Sequence, residues 1–293
     1  MTTTDLIELH AGDYRLVLEP TRGGSIARFD WHDIPLFRPT CGPAIFDTGC
    51  FPLVPFSNRI ADGVFRVGQR TVHLKPNFPG SDHPHPLHGF GWLCAWTLVE
   101  HTTSAAVVRH QQAPGAWPWA YVAEQHFQLG AGGLCHEIRL RNLADEPMPA
   151  GLGFHPYFPR SQDTRYAGLH RGEWQLGEDG LPSSLHQAEG AIDWWYGEPV
   201  GARAVDTVYT GRIGALRIVW PETGLALTIE PSANLPCTVV YTPQGEDYFC
   251  VEPVSHATDA INHPERGDGM TWLAPGETMT VSARYAASAW PTG

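Results

Sequence analysis

The chain contains no apolar run long enough to span a membrane, no C-x-x-C pair and almost no helical periodicity. It also lacks basic excess: its formal net charge is −12, which argues against nucleic acid or an anionic membrane as partner. The same charge mildly disfavours a highly charged anionic substrate, although a local arginine cluster would override the global sign. Residues 1–10 have neither the basic region nor the apolar core of a signal peptide, so a cytoplasmic protein is expected. The six cysteines are scattered, which in such a chain points to buried or surface thiols rather than disulfides. No low-complexity linker, charge block or repeat divides the sequence, and one domain is expected over residues 1–293.

What is abundant is turn chemistry and aromatic mass. There are 31 Gly, 26 Pro and 11 Trp in 293 residues, a composition that favours many short strands over long helices. Strand-like runs recur at Tyr14–Leu18, Arg70–Leu74, Ala95–Glu100, Ala105–His110, Tyr121–Leu129, Leu134–Arg141, Leu216–Trp220, Leu225–Ile229, Thr238–Tyr241 and Thr278–Tyr285. Turn signals separate them at the intervals of a sandwich or barrel, so the fold class is all-β, one large antiparallel unit with little helix. The stretch Ser161–Gly201 shows no clear strands and reads as an excursion from that unit.

Five stretches carry groups able to do chemistry. In Tyr248-Phe249-Cys250-Val251-Glu252-Pro253, alternation puts Phe249 and Val251 on one face and Tyr248, Cys250 and Glu252 on the other. Pro253 biases Glu252 to an extended backbone and is expected to end ladder pairing there. Glu252 is then either a general base or an ordinary edge-strand carboxylate. His155 in Gly153-Phe154-His155-Pro156-Tyr157-Phe158 also precedes a proline; Gly153 is expected to keep its face open, with Phe154 and Phe158 on the other. It reads as a proton donor or as a hydrogen-bonded structural histidine. Asn58-Arg59 offers fixed, charged donors for a ligand oxygen or for a nearby acid. Asp206 stands at a strand start, to cap a turn or to hold vicinal hydroxyls. His83, His85 and His88 have loop spacing open to a metal, but no cysteine or carboxylate beside them completes a set. His88 differs in being followed by Gly89, which allows close approach of other groups.

In order, Asn58-Arg59-Ile60 with Gly63, Leu87-His88-Gly89, Gly153–Phe158, Val205-Asp206-Thr207, Val251-Glu252-Pro253 and Thr258–Asn262 resemble the aldose 1-epimerase (galactose mutarotase) family. The resemblance spans about Gly23 to Tyr285. It implies a large β-sandwich of the galactose mutarotase-like supersandwich type, with a free sugar bound in an open cleft on one sheet. It implies Glu252 as general base, His155 as general acid, and Arg59, His88, Asp206 and Asn58 as sugar ligands, with no metal or organic cofactor. The chemistry explains the choice of groups. Opening an aldopyranose removes a proton from the C1 hydroxyl and delivers one to the ring oxygen, and an ionised carboxylate beside a proton-bearing imidazole performs both.

Two alternatives remain at this level. A hexose-6-phosphate 1-epimerase would need extra cations near the cleft, for which Arg160, Arg165 and Arg171 are candidates. A sugar-binding module would keep the cleft without catalysis. Trp92, Trp194 and Trp195 are candidate platforms for the apolar face of a sugar.

Overall fold

The computed structural model describes residues 6–267 and 269–291. Residues 1–5, 268 and 292–293 lie outside the described residues. With them go the ends of the domain expected over 1–293 and part of the segment considered for an export signal.

Among the described residues the helical segments are all single 3-10 turns, and strands dominate. Eighteen strands join one continuous antiparallel sheet, and two small ribbons pair separately, Met148–Ala150 with Thr271–Leu273 and Val64–Val67 with Arg70–His73. The sheet folds over into a large sandwich. Its main core contains Phe29, Phe37, Phe154, Phe158, Phe249, Val251 and Tyr285, all essentially excluded from solvent. Fully burying one such side chain contributes about 1.5–3 kcal/mol. Among the described residues no helix is long and apolar enough to cross a membrane.

The candidate residues His155, Glu252 and Asp206 sit on strands of one neighbouring set. Gly153–Pro159 pairs with Cys50–Leu53 on one side and Tyr248–Val254 on the other. Tyr248–Val254 next pairs with Cys237–Tyr241, and that strand with Asp206–Thr210. Alternation around Glu252 holds: Phe249 and Val251 enter the main core, while Cys250 and Tyr248 join a second cluster on the opposite face, with Phe51, Trp92, Tyr157 and Val239. Glu252 therefore lies on an interior strand, not on an edge.

Three expectations need correction. Ser161–Gly201 is not strandless: Arg165–Leu176 and Pro182–Asp193 are twelve-residue strands paired to each other. The first alternates, but its buried positions include Gly168, His170 and Gly172, which give no hydrophobic signal. The second pairs only with the first and is mostly exposed, so it needs no apolar face. Secondly, Pro253 does not end pairing with Cys237–Tyr241, since Thr238 pairs with Pro253 and Cys237 with Val254. Pairing lapses on the other side instead. Gly153 pairs with Val254 and Tyr157 with Cys250, with no ladder pair between them. The register carried across this gap sets His155 opposite Glu252, each followed by a proline that has no N–H to donate. Thirdly, Gly153 does not leave an open side: a Cβ there would meet Val254, the Pro253 carbonyl and Leu53 at 2.8–3.1 Å.

Candidate active site

A cleft of about 430 Å³ opens over these strands, lined by Asn58, Arg59, His88, His155, Asp206 and Glu252 together with apolar and aromatic groups. All six candidate residues thus converge, although they come from five separate stretches of chain.

Arg59 and His88 are positioned by two loops fastened together. Single bridges join Val54 to Gly89 and Arg59 to Leu87. Gly89 is required there: its φ is +69°, and a Cβ would lie 2.0 Å from the Val54 carbonyl oxygen. The Asn58 N–H donates to His88 Nδ1 at 3.1 Å, and the His88 N–H donates to the Asn58 carbonyl at 3.0 Å. With Nδ1 accepting, the ring proton of neutral His88 resides on Nε2. Asn58 Oδ1 accepts from the Arg59 N–H at 2.9 Å and from Nη1 at 3.3 Å. Arg59 Nη2 donates to Asp206 Oδ2 at 3.0 Å, so the structural and ligand-holding readings of this arginine coexist.

The Thr258–Asn262 stretch braces this loop from behind. Asp259 N–H donates to the Arg59 carbonyl, while Asp259 Oδ1 accepts from the Ala61 N–H and from Asn262 Nδ2, all at 2.8–2.9 Å. His256 accepts from the Ser57 N–H through Nε2 at 3.1 Å, which leaves its Nδ1–H to donate to the Ala257 carbonyl at 2.7 Å. Neither role was visible in the sequence, because each depends on a partner about 200 residues away.

On the cleft floor, His155 Nε2 lies 3.3 Å from Glu252 Oε1, and both residues are buried. The His155 ring is stacked between Phe51 and Tyr157 at centroid distances of 4.4 and 4.8 Å, and meets His88 edge-on at 5.1 Å. This packing fixes the imidazole plane. Burial drives Glu252 well above the usual carboxylate range, aided by the Asp206 charge and opposed by Arg59. Burial likewise lowers His155 to about 3; a hydrogen bond to its own backbone opposes the shift and the Arg38 charge adds to it. His88 is also held well below its ordinary value, by burial first and then by His155 and Arg59. The surroundings therefore favour a neutral carboxyl beside a neutral imidazole, the reverse of the charged pair expected from residue types alone.

The remaining predictions divide. Trp92 and Trp195 are fully buried and Trp194 nearly so; none lines the cleft. Its aromatic walls are Phe46, Phe78, Tyr157, Tyr241 and Tyr248, with Phe46 and Phe78 stacked at 4.7 Å. Of these, Tyr157 stood within the His155 motif and Tyr248 shared the Glu252 face in the sequence pattern. The Phe46 and Phe78 loops carry no periodic signal. Arg38 is also new: its guanidinium lies 4.3 Å from both the Tyr157 and Tyr248 ring centroids.

The histidine-rich loop is not drawn together as a metal site. His85 Nδ1 accepts from the Asp62 N–H at 2.9 Å, as His88 Nδ1 does from Asn58, and His83 lines the cleft. Arg160, Arg165 and Arg171 also lie off the cleft lining and donate to the carbonyls of Pro243, Gly197 and Glu189.

Comparison with known proteins identifies the family and the fold. The family profile described as aldose 1-epimerase matches residues 5–286. The uncharacterized Escherichia coli K12 protein YphB is 34% identical over 269 residues, covering 88% of this chain and 91% of its own. The crystal structure of a proposed aldose 1-epimerase from Escherichia coli K12 superposes with a TM-score of 0.88 at 31% identity, covering 97% of this chain and 99% of that one. A galactose mutarotase-like protein from Clostridium acetobutylicum shares the fold, with a TM-score of 0.85 at 18% identity and coverages of 96% and 94%.

Proposed function

Since the chain belongs to the aldose 1-epimerase family, we propose that it interconverts the α and β anomers of a free aldose, as one catalytic domain. The observation that carries this reading is the 3.3 Å approach of His155 Nε2 to Glu252 Oε1 on the floor of the cleft. In the ring-opening direction, Glu252 as carboxylate takes the C1 hydroxyl proton while His155 as imidazolium gives its proton to the ring oxygen. The bond from C1 to the ring oxygen breaks and the C1 carbonyl forms. After rotation about C1–C2, the two groups exchange roles and the ring closes on the other carbonyl face.

The burial of the pair has a clear place in this scheme. Ring opening turns carboxylate and imidazolium into neutral carboxyl and neutral imidazole, the forms that burial favours. The neutral pair complements the open-chain aldehyde: the carboxyl donates to the carbonyl oxygen, and the imidazole accepts from the freed hydroxyl. Stabilisation is thus directed at the intermediate rather than at the cyclic sugar. The His88 Nε2–H and the Arg59 guanidinium are donors for sugar oxygens carrying developing charge. Asp206 accepts from hydroxyls, and Asn58 Nδ2 donates. The aromatic walls suit the apolar C–H face of a pyranose.

A free sugar is preferred over a sugar phosphate because, among the described residues, Arg59 is the only Lys or Arg lining the cleft, and it is already paired with Asp206. Polarimetry on freshly dissolved α-D-galactose, α-D-glucose and glucose 6-phosphate tests both points. The expected result is a faster approach to the same final rotation with free sugar, abolished in Glu252→Gln and His155→Asn. Sugar binding without any acceleration by the wild type would instead identify a binding module.

A further inference from the structure

Buried just behind the cleft floor is a third group that proton transfer does not use. Cys250 alternates onto the same strand face as Glu252 and sits across from Tyr157, two residues along from His155. A ring nitrogen of His155, Sγ of Cys250 and a carboxylate oxygen of Glu252 all lie within 4.8 Å of one another. No other three of the described His, Cys, Asp and Glu residues come together in this way.

The spacing is close to that of a metal tripod. Zinc–ligand bonds of about 2.0–2.1 Å for nitrogen and oxygen set tetrahedral edges of roughly 3.3–3.4 Å. His155 Nε2 and Glu252 Oε1 are already 3.3 Å apart. Glu252 Oε2 has no hydrogen-bond partner, so the carboxylate is free to turn without breaking another contact. His155 and Glu252 also line the cleft, which gives an ion an entry path and leaves a fourth position for water.

Charge balance selects the ion. Zn²⁺ held by one thiolate, one carboxylate and one neutral imidazole forms a site of zero net charge, the least costly state in a buried setting. Binding releases the Cys250 thiol proton and any proton held by Glu252, while His155 contributes its lone pair. Magnesium and calcium require more oxygen ligands than this floor offers.

We propose that His155, Cys250 and Glu252 form an inhibitory zinc site that, when filled, removes both proton-transfer groups from use. The inhibition rests on the acid–base reading above; the binding does not.

Cobalt(II) titration of the intact, sugar-free protein tests the binding. The expected result is a near-ultraviolet thiolate-to-cobalt band with the visible bands of a tetrahedral ion. Zinc should displace these bands. They should be absent in Cys250→Ser and Cys250→Ala and unchanged in Cys135→Ser, with circular dichroism showing each variant folded. No band, or a band that survives in both Cys250 variants, overturns the site. In parallel polarimetry, saturating zinc should lower the enzymatic rate by roughly 10²-fold or more, the minimum contribution of one proton-transfer group. Sugar should compete with the inhibition and a chelator should reverse it. A cobalt spectrum without zinc inhibition overturns the inhibitory role. Normal mutarotation by Glu252→Gln and His155→Asn would sink the acid–base reading while leaving the cobalt result to stand or fall separately.

Discussion

Asn58 and His88 hold one another through two hydrogen bonds, Asn58 N–H to His88 Nδ1 and His88 N–H to the Asn58 carbonyl, with both residues at positive φ (59° and 56°). Non-glycine residues rarely adopt this conformation, so the two loops are fixed against a local backbone preference.

Replacing either residue separates geometry from stability. His88→Ala leaves the buried Asn58 N–H without its acceptor and should cost about 1–3 kcal/mol, a loss of several degrees in Tm. Asn58→Gly suits the backbone and should leave stability within about 1 kcal/mol. It removes the acceptor that aligns Arg59, however, and should raise KM in polarimetric assays. A normal KM in Asn58→Gly would show that Asp206 alone orients the guanidinium.

Glu252→Gln should trade activity for stability. A carboxyl whose pKa is raised in the folded state contributes stability below its unfolded pKa and loses it as pH rises through the folded value. At pH 8 the wild type therefore carries a cost that the amide avoids. The variant should melt above the wild type at pH 8, with the difference shrinking towards pH 4, while mutarotation falls by about 10²–10⁴-fold. Equal melting temperatures at both pH values would mean that the carboxylate is fully compensated in the fold.

The pH profile should carry an inverted assignment. With Glu252 raised and His155 lowered to about 3, the working ion pair is a minor proton isomer of the neutral pair, so its share is constant between the two limbs. After subtraction of the spontaneous reaction, kcat/KM should be flat across that interval and fall on either side. The alkaline limb then belongs to a carboxyl, whose ionisation enthalpy is small. It should hardly move with temperature. A strongly temperature-dependent alkaline limb would assign it to an imidazole and reverse the scheme.

Acid unfolding should begin near the ordinary histidine range. His136 and His155 are lowered to about 3, and His170 and His256 to about 4, with burial the leading cause in each. A histidine with a depressed folded pKa takes up its proton more readily when unfolded. Its contribution is complete above the unfolded value of about 6.5 and declines below it, by up to about 1.4 kcal/mol per pH unit for each residue. Denaturant melts from pH 7 to pH 4 should show steadily falling stability. His170→Gln, which keeps a polar partner for Thr238, should flatten the slope.

Much of this was legible in sequence because the strands beside the site are buried on both faces by different partners. Around Glu252, Phe249 and Val251 meet one cluster while Tyr248 and Cys250 meet the other, so alternation alone separated them. The residues that line the cleft floor and its rim were legible as ordered short patterns. What stayed hidden depends on distance or on context. The strand Arg165–Leu176 buries glycines and a histidine, Pro182–Asp193 is an edge that buries little, and His256 and Asp259 act on residues about 200 positions away. The pKa shifts of Glu252 and His155 could not be read from sequence, because residue type fixes only the reference pKa. Depth in the fold decides the departure from it.

The missing rungs between Gly153–Val254 and Tyr157–Cys250 have a mechanical meaning. Elsewhere, widening the gap between two strands breaks backbone bonds, which makes a sheet stiff in its own plane. Around His155 and Glu252 the ladder is interrupted, and Pro156 and Pro253 have no N–H to donate. On the proposed mechanism, that interrupted seam lies under the two groups that follow a sugar as it lengthens from ring to open chain and shortens again.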